Sequence, residues 1–185
     1  MRIVETSLPG VLIVKPKFVG DARGFFMEAF QARRYAEGGI VGPFVQDNVS
    51  FSRFGVLRGL HFQHPHAQGK LVYVLQGEIF DVAVDIRQGS PAFGKWFAAS
   101  LSADNKRQLW VPAGFAHGFC VTSETALFAY KCTDYYQPEA EGTVAWNDPR
   151  VGVDWPLKRP ELSAKDDSAS PLDQIPPSGL PMYSA

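Results

Sequence analysis

The sequence predicts an all-β protein, an antiparallel sandwich or barrel with a few short helices, and two observations carry this prediction. Apolar segments rich in strand-forming residues recur about every 8–12 residues through the middle of the chain, and turn-forming residues separate them. Only one stretch, FQARRYAEGG at residues 30–39, has a clear helix signal, which the pair Gly38-Gly39 ends. Short strands at this spacing are typical of antiparallel sheets.

The clearest strand is EIFDVAVDI at residues 78–86, where apolar and polar side chains alternate. Val82 lies on one face and Asp81 on the other, which is the period of two expected of a strand. Residues 70–75 form the preceding strand, and Gly77 between them predicts a tight hairpin. Further strands are predicted in KWFAASL, QLWVP, GFCVT and TALFAYKC.

One domain of ordinary size, 1–185, accounts for the chain, with a loose Pro- and Ser-rich tail predicted from about residue 167. Hydrophobic residues make up 45% of the chain and the formal net charge is -1, a balance that disfavours a nucleic-acid or membrane-surface partner. Two cysteines do not make a disulfide framework. Polar and proline residues interrupt the place of a signal-peptide core, so a cytoplasmic location is expected.

Three of the four histidines, His61, His64 and His66, lie within six residues and raise the question of a metal site. The His-Pro-His pattern and the later His117 resemble the spacing with which cupin-type jelly rolls hold a divalent metal. Lys70 argues against a metal, since it stands where that motif has its carboxylate ligand and an ammonium repels a cation. The sequence therefore predicts no metal, and a metal-binding cupin stays a lesser alternative.

A second interpretation of the same stretch needs no metal. Arg58 suits a phosphate, because its planar guanidinium binds two oxygens at once. Histidine is the commonest general base in enzymes, so His61 suits that role, while Lys70 suits stabilisation of a negative oxygen in a site that excludes water. Together with His117, these residues fit proton abstraction next to a carbonyl, in which the base takes the α-proton and the cation holds the enolate.

Five motifs resemble the dTDP-4-dehydrorhamnose 3,5-epimerase family: QDN at 46–48, GVLRGLHFQ at 55–63, QGKLVYVLQGEIFDVAVDIR at 68–87, PAGFAHGF at 112–119 and EGTVAWNDP at 141–149. RGFFMEAF at 23–30 and LSAKD at 162–166 extend the match. The resemblance runs from about residue 3 to residue 166. It implies a cupin jelly roll, a homodimer and no cofactor. It also implies inversion of carbons 3 and 5 of dTDP-4-dehydro-6-deoxy-D-glucose, both α to the 4-ketone, to give dTDP-4-dehydro-L-rhamnose.

The resemblance implies a role for each matching residue. His61 matches the general base, and Asp166 matches the carboxylate that orients it. Tyr130 matches the acid that returns a proton from the opposite face, and Lys70 matches the residue near the ketone oxygen. Contacts with the substrate, nucleotide or diphosphate are implied for Arg23, Glu28, Gln46, Asn48, Arg58, His117, Tyr136, Glu141 and Lys165. Of these, Arg23 and Glu28 are expected to reach across the dimer.

Alternatives stay open for the outcome and for the acid. Similar jelly rolls invert only carbon 3 or only carbon 5 of related dTDP-4-keto-6-deoxy sugars with nearly the same residues, so a single-centre epimerase is the main alternative. Tyr136 competes with Tyr130 for the role of the acid. Without the resemblance, Tyr130 is equally consistent with a core tyrosine and Asp166 with a solvated surface residue.

Overall fold

Strands dominate the structure, a computed structural model that describes residues 1–184. Those residues form thirteen strands and two short α helices, which confirms the predicted all-β class. None of their helices has the length and apolar character needed to span a membrane. The strands are β1 (Arg2–Glu5), β2 (Leu12–Lys15), β3 (Phe18–Asp21), β4 (Gly24–Met27), β5 (Gln46–Arg53), β6 (Leu57–Gln63), β7 (Lys70–Gln76), β8 (Glu78–Asp85), β9 (Trp96–Ser102), β10 (Gln108–Val111), β11 (Phe115–Val121), β12 (Thr125–Cys132) and β13 (Glu141–Thr143). The helices are α1 (Ala32–Glu37) and α2 (Ala164–Asp167).

Two antiparallel sheets make up the body of the fold. The six-stranded sheet has the order β1-β2-β10-β7-β12-β5, and the five-stranded sheet has the order β13-β6-β11-β8-β9. From β5 to β8, each strand lies in the sheet opposite to that of the strand before it. This crossing between two layers is the arrangement of a jelly roll. The strands β3 and β4 form a separate two-stranded hairpin.

Apolar side chains fill three layers. Between the sheets, Val72 and Phe128 of the six-stranded sheet pack against residues of the five-stranded sheet. On the outer face of the five-stranded sheet, Val82 packs in a cluster with Trp155 from the C-terminal part of the chain. On the outer face of the six-stranded sheet, α1 contributes Tyr35 to a third cluster. The five-stranded sheet is therefore covered on both sides, whereas the outer face of the six-stranded sheet stays open at β5, where Val49 and Phe51 are exposed.

The alternation predicted for residues 78–86 is confirmed, but both faces of β8 are buried. Val82 and Val84 lie in the outer cluster, while Ala83 lies in the core between the sheets. Asp81 shares the inner face with Ala83 and has no exposed surface. A carboxyl group therefore lies inside the sandwich, where it needs a hydrogen-bonding partner.

The hairpin predicted at Gly77 is wrong. The strands β7 and β8 that flank it lie in different sheets, so Gly77 is the corner at which the chain crosses the sandwich. Its φ is +77°, and a Cβ at this position would collide with the backbone carbonyl of Thr125. A hairpin and a corner use the same turn residues, which is why local sequence does not distinguish them.

The loose tail predicted from about residue 167 is also corrected. Leu172 and Leu180 are each only 5% exposed and belong to the cluster that covers the five-stranded sheet. The Leu172 amide donates to Asp148 Oδ2 at 2.7 Å, and the Gln88 side-chain amide donates to the Leu180 carbonyl at 2.9 Å. The prediction failed because the segment is rich in proline and serine, and its apolar residues are too widely spaced to give a helix or strand pattern. That the chain forms one domain stays a prediction.

Candidate active site

A polar cavity of about 250 Å³ opens between the two sheets. The strands β5, β7 and β12 form one wall, and β6 and β13 form the other. Its lining residues are Gln46, Asn48, His61, Phe62, Gln63, Gln68, Lys70, Tyr130, Tyr136 and Glu141. The cavity therefore brings together three of the four predicted catalytic residues and four of the predicted substrate-binding residues.

A bulge in β6 aims two predicted residues to one side of the strand. In the pairing with β11, His61 lies opposite His117 and Arg58 lies opposite Phe119, so β6 carries one residue more than β11 over this interval. Residues three apart in a regular strand point to opposite faces. The extra residue brings Arg58 and His61 to the same face, as bulges commonly do beside functional sites.

Two glycines permit this bulge. Gly59 has a φ of +129°, and a Cβ there would lie 2.5 Å from the Cα of Gly118 on β11. Any side chain at Gly59 would push the two strands apart. Beside it, the Arg58 Nε donates to the hydroxyl of Ser52 at 3.1 Å, which ties the guanidinium across to β5.

His61 and Asp166 form a hydrogen-bonded pair in the cavity wall. The His61 Nε2 lies 2.6 Å from Asp166 Oδ1. The Asp166 side chain is only 3% exposed, whereas that of His61 is 26% exposed, so the carboxylate lies behind a ring that faces the cavity. Asp166 lies on α2, where the Ser163 hydroxyl accepts from the Asp166 amide at 3.1 Å as the N-cap.

The surroundings of Asp166 favour its charged form. Burial alone would raise the pKa of this carboxyl group, but hydrogen bonds from His61 and Ser163 outweigh burial and hold the pKa below its ordinary value. An ionised carboxylate at this distance fixes the ring orientation of His61 and stabilises the imidazolium that forms when the ring takes a proton. The pair is thus arranged to accept a proton from a group in the cavity.

Lys70 and Tyr130 project from the opposite wall. In the register of β7 and β12, Lys70 lies opposite Cys132, two residues from Tyr130, so Lys70 and Tyr130 share the inner face. Burial lowers the pKa of the Lys70 ammonium and raises the pKa of the Tyr130 phenol. Tyr130 therefore keeps the proton that an acid must donate, and a cation lies on the same wall.

His117 does not line the cavity, in contrast to the substrate contact predicted for it. It is only 6% exposed, and its Nε2 lies 2.9 Å and 3.0 Å from the two carboxylate oxygens of Asp81. Burial raises the pKa of Asp81, and the neighbouring His117 and Lys70 oppose that rise. The pair forms because a buried carboxyl group needs a donor and His117 is its neighbour across the paired strands.

Hydrogen bonds hold the rim of the cavity together. The Tyr136 hydroxyl donates to Glu141 Oε2 at 3.1 Å, and the Lys165 ammonium lies 2.8 Å from Glu141 Oε1. The Tyr136 amide donates to Gln46 Oε1 at 2.9 Å, and the Gln46 side-chain amide donates to Asn48 Oδ1 at 3.1 Å. Burial alone would raise the pKa of Glu141, but Lys165 and Tyr136 hold it below its ordinary value.

Arg23 and Glu28 lie away from this cavity. Arg23 is on the turn of the β3–β4 hairpin, with its side chain 89% exposed and paired with Asp21. Glu28 is paired with Arg34 at 2.8 Å. The structure therefore does not bring these two predicted residues to the site of their own chain. The hairpin also exposes four large apolar side chains: Phe18, Val19, Phe25 and Phe26.

Sequence reasoning missed three residues that support the site. The alternation in residues 78–86 puts Asp81 on one strand face but gives no sign that it pairs with His117. Ser163 stands three residues before Asp166, a helix N-cap signal that marks its position. Gln63 donates to the backbone carbonyl of Tyr135 at 3.1 Å and accepts from the Gln137 amide at 2.9 Å. It also donates to the nearby His66 carbonyl at 2.8 Å, but its partners Tyr135 and Gln137 lie more than 70 residues away, and no local signal reveals those contacts.

The other two clustered histidines lie outside the cavity lining. The His66 Nδ1 is 3.8 Å from Asp134 Oδ2, and half of the His66 side chain is exposed. His64 lies beside a second, neighbouring depression. Within residues 1–184, no three His, Cys, Asp or Glu side chains come together in a way that suits a metal ion.

Comparisons with known proteins place this geometry in a family. A sequence profile of the dTDP-4-dehydrorhamnose 3,5-epimerase family matches residues 5–174. This chain belongs to that family. The family's enzyme from Salmonella typhimurium is 55% identical over 94% of this chain and 97% of its own length.

Solved structures agree with the family assignment. The dTDP-6-deoxy-D-glucose-3,5-epimerase of Legionella pneumophila, crystallised with dTDP-4-keto-L-rhamnose, is 56% identical, with a TM-score of 0.97 over 100% of this chain and 99% of that one. A more distant structure is ChmJ, a 3'-monoepimerase from Streptomyces bikiniensis, crystallised with dTDP-quinovose. It is 33% identical, with a TM-score of 0.90 over 96% of this chain and 92% of ChmJ. The fold alone therefore does not decide how many centres an enzyme inverts.

Proposed function

We propose that this chain inverts carbons 3 and 5 of dTDP-4-dehydro-6-deoxy-D-glucose and releases dTDP-4-dehydro-L-rhamnose. The observation that carries the proposal is one cavity with an Asp-supported histidine on one wall and a tyrosine and a lysine on the other. That arrangement provides a base, an acid and a cation around one sugar. The family relatives named as 3,5-epimerases support the same reaction.

The reaction uses the acidity of protons next to the 4-ketone. His61 removes the proton from the carbon α to the carbonyl, and the electron pair moves onto the ketone oxygen as an enolate. Lys70 stabilises that negative oxygen where water is largely excluded. Tyr130, on the wall opposite His61, then donates a proton to the other face of the same carbon. The hydrogen count of the sugar is unchanged, and the centre is inverted.

The test is epimerisation in deuterated water, followed by NMR of the nucleotide sugar. The proposal requires solvent deuterium at both carbon 3 and carbon 5, because each proton leaves the sugar and is replaced from the opposite side. Deuterium at neither carbon overturns it. Added chelator is expected to leave the rate unchanged, and a rate that requires a bound divalent metal would favour the metal-binding alternative.

A second candidate is a single-centre epimerase of a related dTDP-4-keto-6-deoxy sugar. It is favoured by one observation, the similarity of the whole fold to the 3'-monoepimerase ChmJ. The same experiment separates the two, since a single-centre enzyme gives a product inverted at one carbon only.

The proposal includes a homodimer in the cytoplasm. The β3–β4 hairpin exposes Phe25 and Phe26 and places Arg23 far from its own cavity, as expected of a segment that completes the site of a second copy. Light scattering after gel filtration tests this. A dimer that Phe26→Asp converts to a monomer is expected, and a monomeric unmodified chain would contradict it.

A further inference from the structure

We propose that Ser163 is a positioning residue for proton transfer, which holds the Asp166 carboxylate in the orientation that supports His61. The inference rests on the proposed function and adds a third member to the His61–Asp166 pair. Ser163 does not line the cavity, so its role is exerted through Asp166 rather than on the substrate.

The geometry around the carboxylate leaves it one orientation. Asp166 Oδ1 lies 2.6 Å from His61 Nε2, and Asp166 Oδ2 accepts from the Ser163 hydroxyl at 2.9 Å. With each oxygen held by a different partner, rotation of the carboxylate breaks two hydrogen bonds. Without Ser163, Oδ2 has no partner among the described side chains, and rotation about the Cβ–Cγ bond loses only one.

The helix that carries Asp166 needs this anchor because it is short. The helix α2 spans only Ala164–Asp167, a single turn that has little stability of its own. The segment before it is bound to the start of β6, since the Leu57 amide donates to the Glu161 carbonyl at 3.0 Å and the Glu161 amide donates to the Gly55 carbonyl at 2.8 Å. Ser163 is the next anchor along the chain, so strand β6 sets the positions of both His61 and α2.

The pKa of Asp166 also indicates that Ser163 supports the carboxylate. A hydroxyl that donates to a carboxylate stabilises its ionised form, and the pKa of Asp166 lies below its ordinary value despite burial, with His61 and Ser163 as the main causes. If that donor is lost, the carboxylate becomes more basic and the His61–Asp166 pair takes up a proton at higher pH. A protonated pair cannot act as a base.

The test compares five chains by the pH dependence of solvent deuterium incorporation: unmodified, Ser163→Ala, Ser163→Asp, Ser163→Thr and a control. Ser163→Ala is expected to lower kcat about tenfold with KM nearly unchanged, and to move the acidic limb of the profile to higher pH. Ser163→Thr keeps the hydroxyl and is expected to restore both. Ser168→Ala, at the other end of α2, is the matched control and is expected to behave like the unmodified chain.

Ser163→Asp separates two roles of Ser163, which caps the N-terminus of α2 and donates a hydrogen bond to the Asp166 carboxylate. Aspartate is as good an N-cap as serine, so it keeps α2 folded, but it has no proton to donate to Asp166 at neutral pH. We expect it to lose kcat and shift the acidic limb at least as much as Ser163→Ala. An unmodified profile in Ser163→Asp would show that Ser163 only caps the helix and would overturn the inference. No deuterium uptake by the unmodified chain overturns the proposed function itself.

Discussion

The fold contains two His–Asp pairs of the same residue types, and they differ in the elements that they join and in their exposure. His61 and Asp166 join a strand to a short helix at the cavity wall, with the ring partly exposed. His117 and Asp81 join two neighbouring strands of the five-stranded sheet, and both are buried. The His61 ring lines the cavity, whereas neither His117 nor Asp81 does.

The pKa directions of the two carboxyl groups show the same contrast. Hydrogen bonds from His61 and Ser163 hold the pKa of Asp166 down, whereas burial raises the pKa of Asp81. The two pairs therefore differ in access to the cavity and in the further donor, Ser163, that only Asp166 has. The His117–Asp81 pair, which lies away from the cavity lining, joins the neighbouring strands β11 and β8 inside the sandwich.

The largest effect is expected from His61. His61→Asn removes the base and is expected to lower deuterium exchange at both carbons at least about 10³-fold, because one base serves both centres. His66→Asn is the matched control, since His66 has a φ of +66°, a conformation that asparagine tolerates well. Exchange that persists at one carbon in His61→Asn would show that a second base serves that carbon.

The second-largest effect is expected when each aspartate is replaced in turn and both deuterium exchange and stability are measured. Asp166→Asn is expected to lower exchange about 100-fold with a small loss of stability, because the base loses its orienting carboxylate. Asp81→Asn is expected to reduce the free energy of unfolding by about 3 kcal/mol, because it removes one partner of a buried pair. Urea unfolding and exchange rates on both variants measure this. Equal effects on both properties would remove the distinction between the two pairs.

Lys70 gives a smaller effect and a pH dependence. Burial lowers the pKa of Lys70, so its ammonium loses its proton at lower pH than an ordinary lysine, and exchange should fall on the alkaline side below the usual lysine range. Lys70→Arg keeps the charge at all these pH values. It is expected to cost about tenfold in rate through altered geometry and to move the alkaline limb to higher pH. An unmoved alkaline limb would assign it to another group.

The smallest effect is expected at the rim. Tyr136→Phe removes the hydrogen bond to Glu141 and is expected to raise KM about threefold with little change in kcat. Tyr135→Phe, at the exposed neighbouring ring, is the control. A large loss of kcat in Tyr136→Phe, with Tyr130→Phe nearly active, would make Tyr136 the acid.

The strands and the contact between His61 and Asp166 could be predicted from sequence, but the connections between strands could not. Alternation of side chains placed β8 correctly, and the family motifs brought His61 and Asp166 together although 105 residues separate them. The sequence predicts a hairpin at Gly77 where the structure has a corner, because a turn residue does not reveal which sheet the next strand joins. The pairing of His117 with Asp81 has no local signal, because Asp81 becomes its neighbour only through strand pairing.

The bulge in β6 has a consequence for protein engineering. At Gly118, as at Gly59, a Cβ would approach backbone atoms of the other strand, in this case the Arg58 carbonyl at 2.8 Å. The two positions therefore admit no variation, and the spacing between Arg58 and His61 is fixed. A library that aims to change the accepted sugar or the inverted carbon gains nothing at these glycines. Its diversity belongs at positions such as Tyr136, whose side chain lines the cavity from an irregular part of the backbone.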